Sequence, residues 1–163
     1  LAFGKAEEPP PRLTQIALRP LIEDVTDAER LASTTADAVE FLIDVPPSLM
    51  LRADSEQIFR VLTNLIRNAR QAIEATGQPG SIEISAHDQD DGTVIRVIDT
   101  GPGLPQRARD NLFAAFQGGA RKGGTGLGLV IAAELVRGHG GRLELVRSDG
   151  DGTEFRLWLP HGG

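Results

Sequence analysis

The sequence contains no cysteine, no apolar run long enough to cross a bilayer, and fewer basic than acidic residues. The missing thiols exclude disulfides and thiolate metal sites, and they suit a reducing compartment. A membrane span needs roughly 18–20 successive apolar residues, and no signal-peptide pattern opens the chain. With 17 Lys+Arg against 23 Asp+Glu, the formal net charge is −6, the reverse of a nucleic-acid binder's basic stripe. These absences lead us to expect a cytoplasmic domain that contacts neither nucleic acid nor membrane. Internal repeats are lacking as well. What is present is 163 residues, 40% of them hydrophobic, which suits one domain with a sizeable core. Nineteen glycines are unevenly spread, 15 of them from Gly101 onward. Such a surplus is either flexible loop or backbone shaped around something.

The opening residues 1–12 hold Pro9-Pro10-Pro11 and read as a linker, because a proline run cannot continue a helix. Leucine in place of an initiating methionine suggests a piece of a longer protein. A helix is expected with Pro20 at its first position, running to about Leu31. Val39, Phe41, Ile43 and Val45 alternate with polar residues as a strand stopped by Pro46-Pro47, and a short strand follows at Leu49 to Leu51. The longest predicted helix runs from Ser55 to about Ala75. Asp54 serves as N-cap with Gln57 three residues on, and Ile58, Val61, Leu62, Leu65, Ile66, Ala69 and Ile73 form its apolar face. Strands at Ser81 to His87 and Thr93 to Ile98 flank a hairpin turn at Asp91-Gly92. A glycine-rich region, Gly101 to Gly128, leads into a helix from about Leu127 to Arg137. Strands at Arg142 to Arg147 and Thr153 to Leu159 close the chain around turn glycines Gly150 and Gly152. Helices with adjacent strand pairs predict a mixed α/β layer with a largely antiparallel sheet.

Three clusters carry chemistry. Asn64, Asn68 and Gln71 share one side of the long helix and border its apolar face. Amides there either cap neighbouring backbone or turn their carbonyl oxygens toward a hard cation such as Mg²⁺ or a polar ligand. Asp99-Thr100-Gly101-Pro102-Gly103 sets a carboxylate at a strand end beside glycines, which is an ordinary turn or an acceptor next to closely approaching backbone. Gly123-Gly124-Thr125-Gly126-Leu127-Gly128 opens a helix, where bare N–H groups and the helix dipole favour an anion. This run matches neither a P-loop nor a dinucleotide-binding turn. Just before it, Arg121 and Lys122 sit on a short loop, either a mobile surface loop or a lid whose cations settle on phosphate. Together and in this order, the clusters point to a nucleotide–metal pocket.

These residues resemble the ATP-binding catalytic domain of the sensor histidine kinases, in the superfamily shared with gyrase B, Hsp90 and MutL. Asn64 to Ala69 is similar to the family's N box, and Asp99 to Gly103 to its G1 box. Phe113-Ala-Ala-Phe116 is similar to its F box, and Gly124 to Leu129 to its G2 box. The closing pattern of the chain, through Gly152-Thr153-Glu-Phe155 to Pro160, also fits. The Asn68-Ala-Arg-Gln-Ala72 run and the short lid look most like the nitrogen-regulatory branch. The resemblance implies a two-layer α/β sandwich of the Bergerat type, with residues 13–163 as the catalytic domain. Residues 1–12 would then be the tail of a dimerisation hairpin that lies outside this chain.

The same resemblance implies roles for single residues. Asp99 would accept the adenine amine, with Thr153 near the ring and Gly101 and Gly103 shaping the adenine side. Asn68 would ligate Mg²⁺, with Asn64 beside the metal and the γ-phosphate. Gly124, Thr125, Gly126, Leu127 and Gly128 would offer N–H groups to the phosphates, and Lys122 or Arg121 would add charge. The implied reaction is transfer of the ATP γ-phosphoryl group to a histidine on the family's dimerisation domain, and onward to a response regulator. His87, His139 and His161 lack the context of the accepting histidine. His139 follows a helix end, where a cation would suit the dipole. Two departures stand out. Ala115 replaces the usual F-box proline, and Gln71 replaces a Lys or Arg, which leaves a phosphate contact absent or passed to Arg70. Serine kinases of the anti-sigma type and nucleotide-sensing pseudokinases share the pocket and are the alternatives. Hydrolases of the superfamily use a Glu at the Asn64 position, and an amide cannot act as that base.

Overall fold

A computed structural model describes residues 9–33, 38–116 and 127–161. The elements in chain order are β1 (Thr14–Ala17), α1 (Leu18–Ala32), β2 (Val39–Asp44), β3 (Met50–Ala53), α2 (Ser55–Ala75), β4 (Gly80–Gln89), β5 (Gly92–Asp99), α3 (Gln106–Phe116), α4 (Leu127–Gly138), β6 (Arg142–Asp149) and β7 (Gly152–Pro160). Five strands form one sheet in the order β2-β4-β5-β7-β6. Only the β2–β4 pair is parallel. That pair is joined through α2, and a helical crossover is what parallel neighbours require. The expected mixed, largely antiparallel sheet packed on helices is therefore present.

Helix α2 follows its predicted limits. Asp54 caps it by accepting the Gln57 N–H at 3.1 Å, and the chain leaves it at Gly77, whose φ is +71°. Every residue of the expected apolar face, from Ile58 to Ile73, is buried. That face shares one continuous core with Ile82 and Ile84 of β4, Ile95 and Val97 of β5, and Phe155 and Leu157 of β7. Full burial of such side chains stabilises by about 1.5–3 kcal/mol each.

Four expectations shift. Helix α1 begins at Leu18, so Pro20 lies within the first turn and not at its first position. Proline is tolerated there because first-turn N–H groups lack intrahelical partners, and Leu18 N–H bonds instead to Leu49 O at 3.2 Å. The β4–β5 turn falls on Asp90 and Asp91, both left-handed at φ 50° and 59°, while Gly92 already pairs with Gln89 in the ladder. Aspartate adopts this region more readily than most residues because its short side chain bonds locally. Two elements had no sequence reading. β1 pairs antiparallel with β3 as a separate two-stranded sheet, and α3 occupies part of the glycine-rich region.

His139 follows α4 as expected but not as a cation serving the dipole. It is buried, Nδ1 donates to Leu135 O at 2.9 Å, and Nε2 accepts the Asp54 N–H at 3.1 Å. A ring that donates on one side and accepts on the other is the neutral form.

Candidate functional site

Asp99 ends β5 and is 6% exposed. Burial pushes its carboxyl above the ordinary carboxylate range, opposed by the N–H groups of Gly101 and Thr153 and by the positive charge of Arg147. The Gly101 N–H lies 2.8 Å from Oδ1. A buried acceptor that keeps backbone donors around it can take a further donor from a ligand. Thr153 stands opposite Asp99 in the β5–β7 ladder, so the two residues singled out for one ring are neighbours.

The loop after Asp99 is shaped by the β6–β7 turn. Gly103 has φ +90°, and a Cβ there would meet Asp149 O at 2.5 Å. Its glycine thus serves this close approach between two loops. Gly152, expected only to make a turn, does more. A Cβ on it would run into the Asp99 backbone, so its glycine lets β7 close against the site. Leu104 N–H donates to Ser148 Oγ at 2.8 Å, and Ser148 Oγ lies 3.0 Å from Thr153 Oγ1. Sequence reasoning missed Ser148 and Gly152 in this role, because a serine and a glycine in an S-D-G-D-G run read as turn chemistry.

Helix α2 carries the other half. A Cβ on Gly101 would lie 3.4 Å from Ile73 near the helix's end. Asn64, nine residues earlier, donates from Nδ2 to Gly128 O at 3.0 Å. At 1.5 Å per residue, these landmarks are about 13 Å apart along the axis. Asn68 lies between them, half-buried, and its amide has no hydrogen-bond partner among the described residues. Asn64 therefore does cap neighbouring backbone, and its carbonyl oxygen is left as an acceptor. Gln71 is exposed.

Arg70 takes no part. Its guanidinium is buried, with Nε 2.8 Å from Glu29 Oε1 and a second nitrogen 2.9 Å from Glu74 Oε1. Glu29, 1% exposed, is also held by Arg67 at 3.1 Å. The idea that Arg70 inherits a phosphate contact is thereby overturned. Arg121, Lys122, Gly124, Thr125 and Gly126 lie outside the described residues. Leu127 begins α4 and Phe116 ends α3.

Among the described residues, no group of three or more His, Asp or Glu could hold a metal ion. The donors that do fit a hard cation are the amide oxygens of Asn68 and Asn64. Mg²⁺ is held by one or two protein oxygens, several waters and substrate phosphates, so such a sparse set suits it. A cavity of about 550 Å³ lies elsewhere, at the far end of β4 between Gln15, Arg52, His87 and His161. Asp99, Thr153, Asn64 and Asn68 do not line it.

The family described as "Histidine kinase-, DNA gyrase B-, and HSP90-like ATPase" matches residues 53–163. The chain belongs to this family. It is similar to the nitrogen regulation protein NtrY of Azorhizobium caulinodans, 40% identical over 77% of this chain and 17% of that protein. It is also similar to the sensory histidine kinase/phosphatase NtrB of Proteus hauseri, 38% identical over 93% of this chain and 45% of that protein. The chain thus spans less than half the length of these relatives. Among solved structures, the nucleotide-free catalytic domain of histidine kinase ThkA aligns with a TM-score of 0.72 at 27% identity, covering 93% of this chain and 97% of that one. Full-length ShkA in complex with AMPPNP aligns with a TM-score of 0.76 at 27% identity, covering 98% of this chain and 33% of that one. The fold is that of the sensor histidine kinase ATPase catalytic domain, and the NtrB and NtrY matches support its nitrogen-regulatory branch. No helix among the described residues is long and apolar enough to cross a membrane.

Proposed function

We propose that the domain binds Mg·ATP along α2 and transfers the γ-phosphoryl group to a histidine on a separate dimerisation domain, from which a response regulator receives it. The observation that carries this reading is the layout along one helix. Buried Asp99 and Thr153 stand near its C-terminal end, Asn68 in its middle, and Asn64 at the start of α4. Asp99 accepts the adenine amine. The amide oxygen of Asn68, which has no partner among the described residues, would hold Mg²⁺, with Asn64 beside it. Mg²⁺, when bound, neutralises charge on the phosphate oxygens. Gly124 to Gly128 would offer N–H donors to the phosphates, and Arg121 and Lys122 would add positive charge. Little covalent chemistry falls to the protein, so placement and charge neutralisation supply most of the rate.

The accepting histidine is placed outside these residues. His87 and His161 bond to Gln89 and Asp88 at the far end of the sheet, and both nitrogens of His139 are engaged. Pro9 O accepts from Gln57 Nε2 at 2.9 Å, and Arg12 N–H donates to Asp54 at 2.9 Å. These bonds tie Pro9 and Arg12 to the start of α2, which supports reading the segment that carries them as a linker.

Titration with a fluorescent ATP analogue, with and without Mg²⁺, tests binding, and no binding with Mg²⁺ present overturns the reading. Transfer of labelled γ-phosphate to a histidine-hairpin domain tests the reaction. An acid-labile, base-stable product supports it, and an acid-stable product favours the serine-kinase alternative.

A further inference from the structure

The β6–β7 turn and the loop after Asp99 meet at Ser148. Ser148 Oγ accepts the Leu104 N–H at 2.8 Å and lies 3.0 Å from Thr153 Oγ1. Thr153 is 3% exposed, and its own N–H bonds to Asp99. A hydroxyl has one proton to donate and two sites that accept. Leu104 fills one acceptor site of Ser148. When Ser148 donates to Thr153, the Thr153 proton is left over: its hydroxyl makes no hydrogen bond to the Asp99 carboxylate, which Thr153 meets through its backbone N–H, nor to another acceptor among the described residues. When Thr153 donates to Ser148, the wall offers no donor at that place.

We propose that Ser148 is a positioning residue for the nucleobase. Fixed by Leu104, it donates to Thr153 and so presents the Thr153 hydroxyl as a donor next to the Asp99 acceptor. That acceptor–donor pair matches a base edge with an amine beside an unprotonated ring nitrogen. Adenine carries this edge in its N6 amine and N1. Guanine and hypoxanthine present a carbonyl and a protonated N1, the opposite order. The inference rests on the ATP reading above and adds to it a residue that need not touch the ligand.

The test is calorimetric titration of the 163-residue chain with ATP and with 1-deaza-ATP, which keeps the amine but has C–H in place of N1. The wild-type chain is expected to prefer ATP by about fivefold, the worth of one neutral hydrogen bond. Ser148→Ala brings the ratio close to one, and Ser148→Thr retains it. Thr153→Val also abolishes the preference, and adding Ser148→Ala to it changes the ratio no further. A serine that only stabilises the turn lowers both affinities alike, and that result, or no effect, overturns the inference. If the alanine variant does not fold, Ser148→Cys carries the same test, since a weak thiol donor must also reduce the ratio. ATP binding with a ratio indifferent to Ser148 defeats this inference alone. Failure of ATP to bind the wild-type chain defeats the ATP reading as well.

Discussion

The His139 ring holds the backbone N–H of Asp54 at 3.1 Å, although 85 residues separate them. Asp54 caps α2, and the side chain three residues later would usually return a bond to the cap's N–H. Here Gln57 turns to the Pro9 carbonyl instead, and the imidazole at the end of α4 takes its place. Replacing His139 with Ala leaves a part-buried N–H unpaired, which costs about 1–3 kcal/mol. A lowered melting temperature is expected. Nucleotide affinity is expected to change little, because His139 lies beyond the opposite end of α4 from Gly128.

Asp99 trades stability for recognition. Its folded carboxyl titrates above the ordinary value of 3.8 because burial disfavours the charge. A raised folded value means that its stabilising contribution is complete below the unfolded value and is lost as pH rises through the folded one. At neutral pH the ionised group is therefore a cost to the fold. Asp99→Asn should keep or raise the melting temperature at pH 7, while ATP affinity falls about 10- to 100-fold with the charged acceptor gone. Unchanged affinity in a folded variant would refute the adenine assignment.

Asp54 behaves in the opposite way. Burial works against its charge, but the N–H groups of Arg12, Gln57 and Glu56 outweigh that and hold its carboxyl below the ordinary 3.8. Its contribution is present above that value and lost as pH falls through the lower folded one. Hydrogen exchange at the Arg12 amide is expected to quicken in acid below about that point, ahead of global unfolding. In Asp54→Asn the acid step should disappear.

The buried pair of Glu29 and Arg70 gives a stability prediction. Arg70→Ala leaves a nearly inaccessible carboxylate with only the half-exposed Arg67 for company. Removing one partner of a buried ion pair costs about 3–5 kcal/mol. Chemical denaturation should show a loss of that size. If Arg70 touched phosphate, ATP affinity would fall as well; in this arrangement, any variant that remains folded should bind ATP as before.

Much of this was open to sequence reading where a single local rule governs. The limits of α2 follow from Asp54, a regular apolar face and Gly77. The alternation in β2 follows from one side facing the core. The reading failed where the deciding partner is distant along the chain. β1 is four residues long and exists because β3 pairs with it, so no period of its own announces it. The need for glycine at position 152 comes from the backbone of Asp99, and nothing in an S-D-G-D-G run points that far. Arg70 seemed free to face a phosphate because its carboxylate partner, Glu29, is on another helix. The proposal that Asp99, Asn64 and Asn68 serve one site could be made from residue types and order, whereas Ser148 enters only through its bonds to Leu104 and Thr153.

Two bonds described separately act on the same pair of helices. Asn64 grips the start of α4 at Gly128, and Asp54 grips its end through His139. The two contacts are ten residues apart on α2 and eleven apart on α4, so the helices run antiparallel with matched lengths of about 15 Å. A rod held at both ends against a longer rod can neither pivot nor slide without breaking a bond. The first turn of α4 is thereby aimed before any anion arrives. Whatever Gly128 contributes to the proposed phosphate site is therefore set in place when the chain folds, not when a ligand binds.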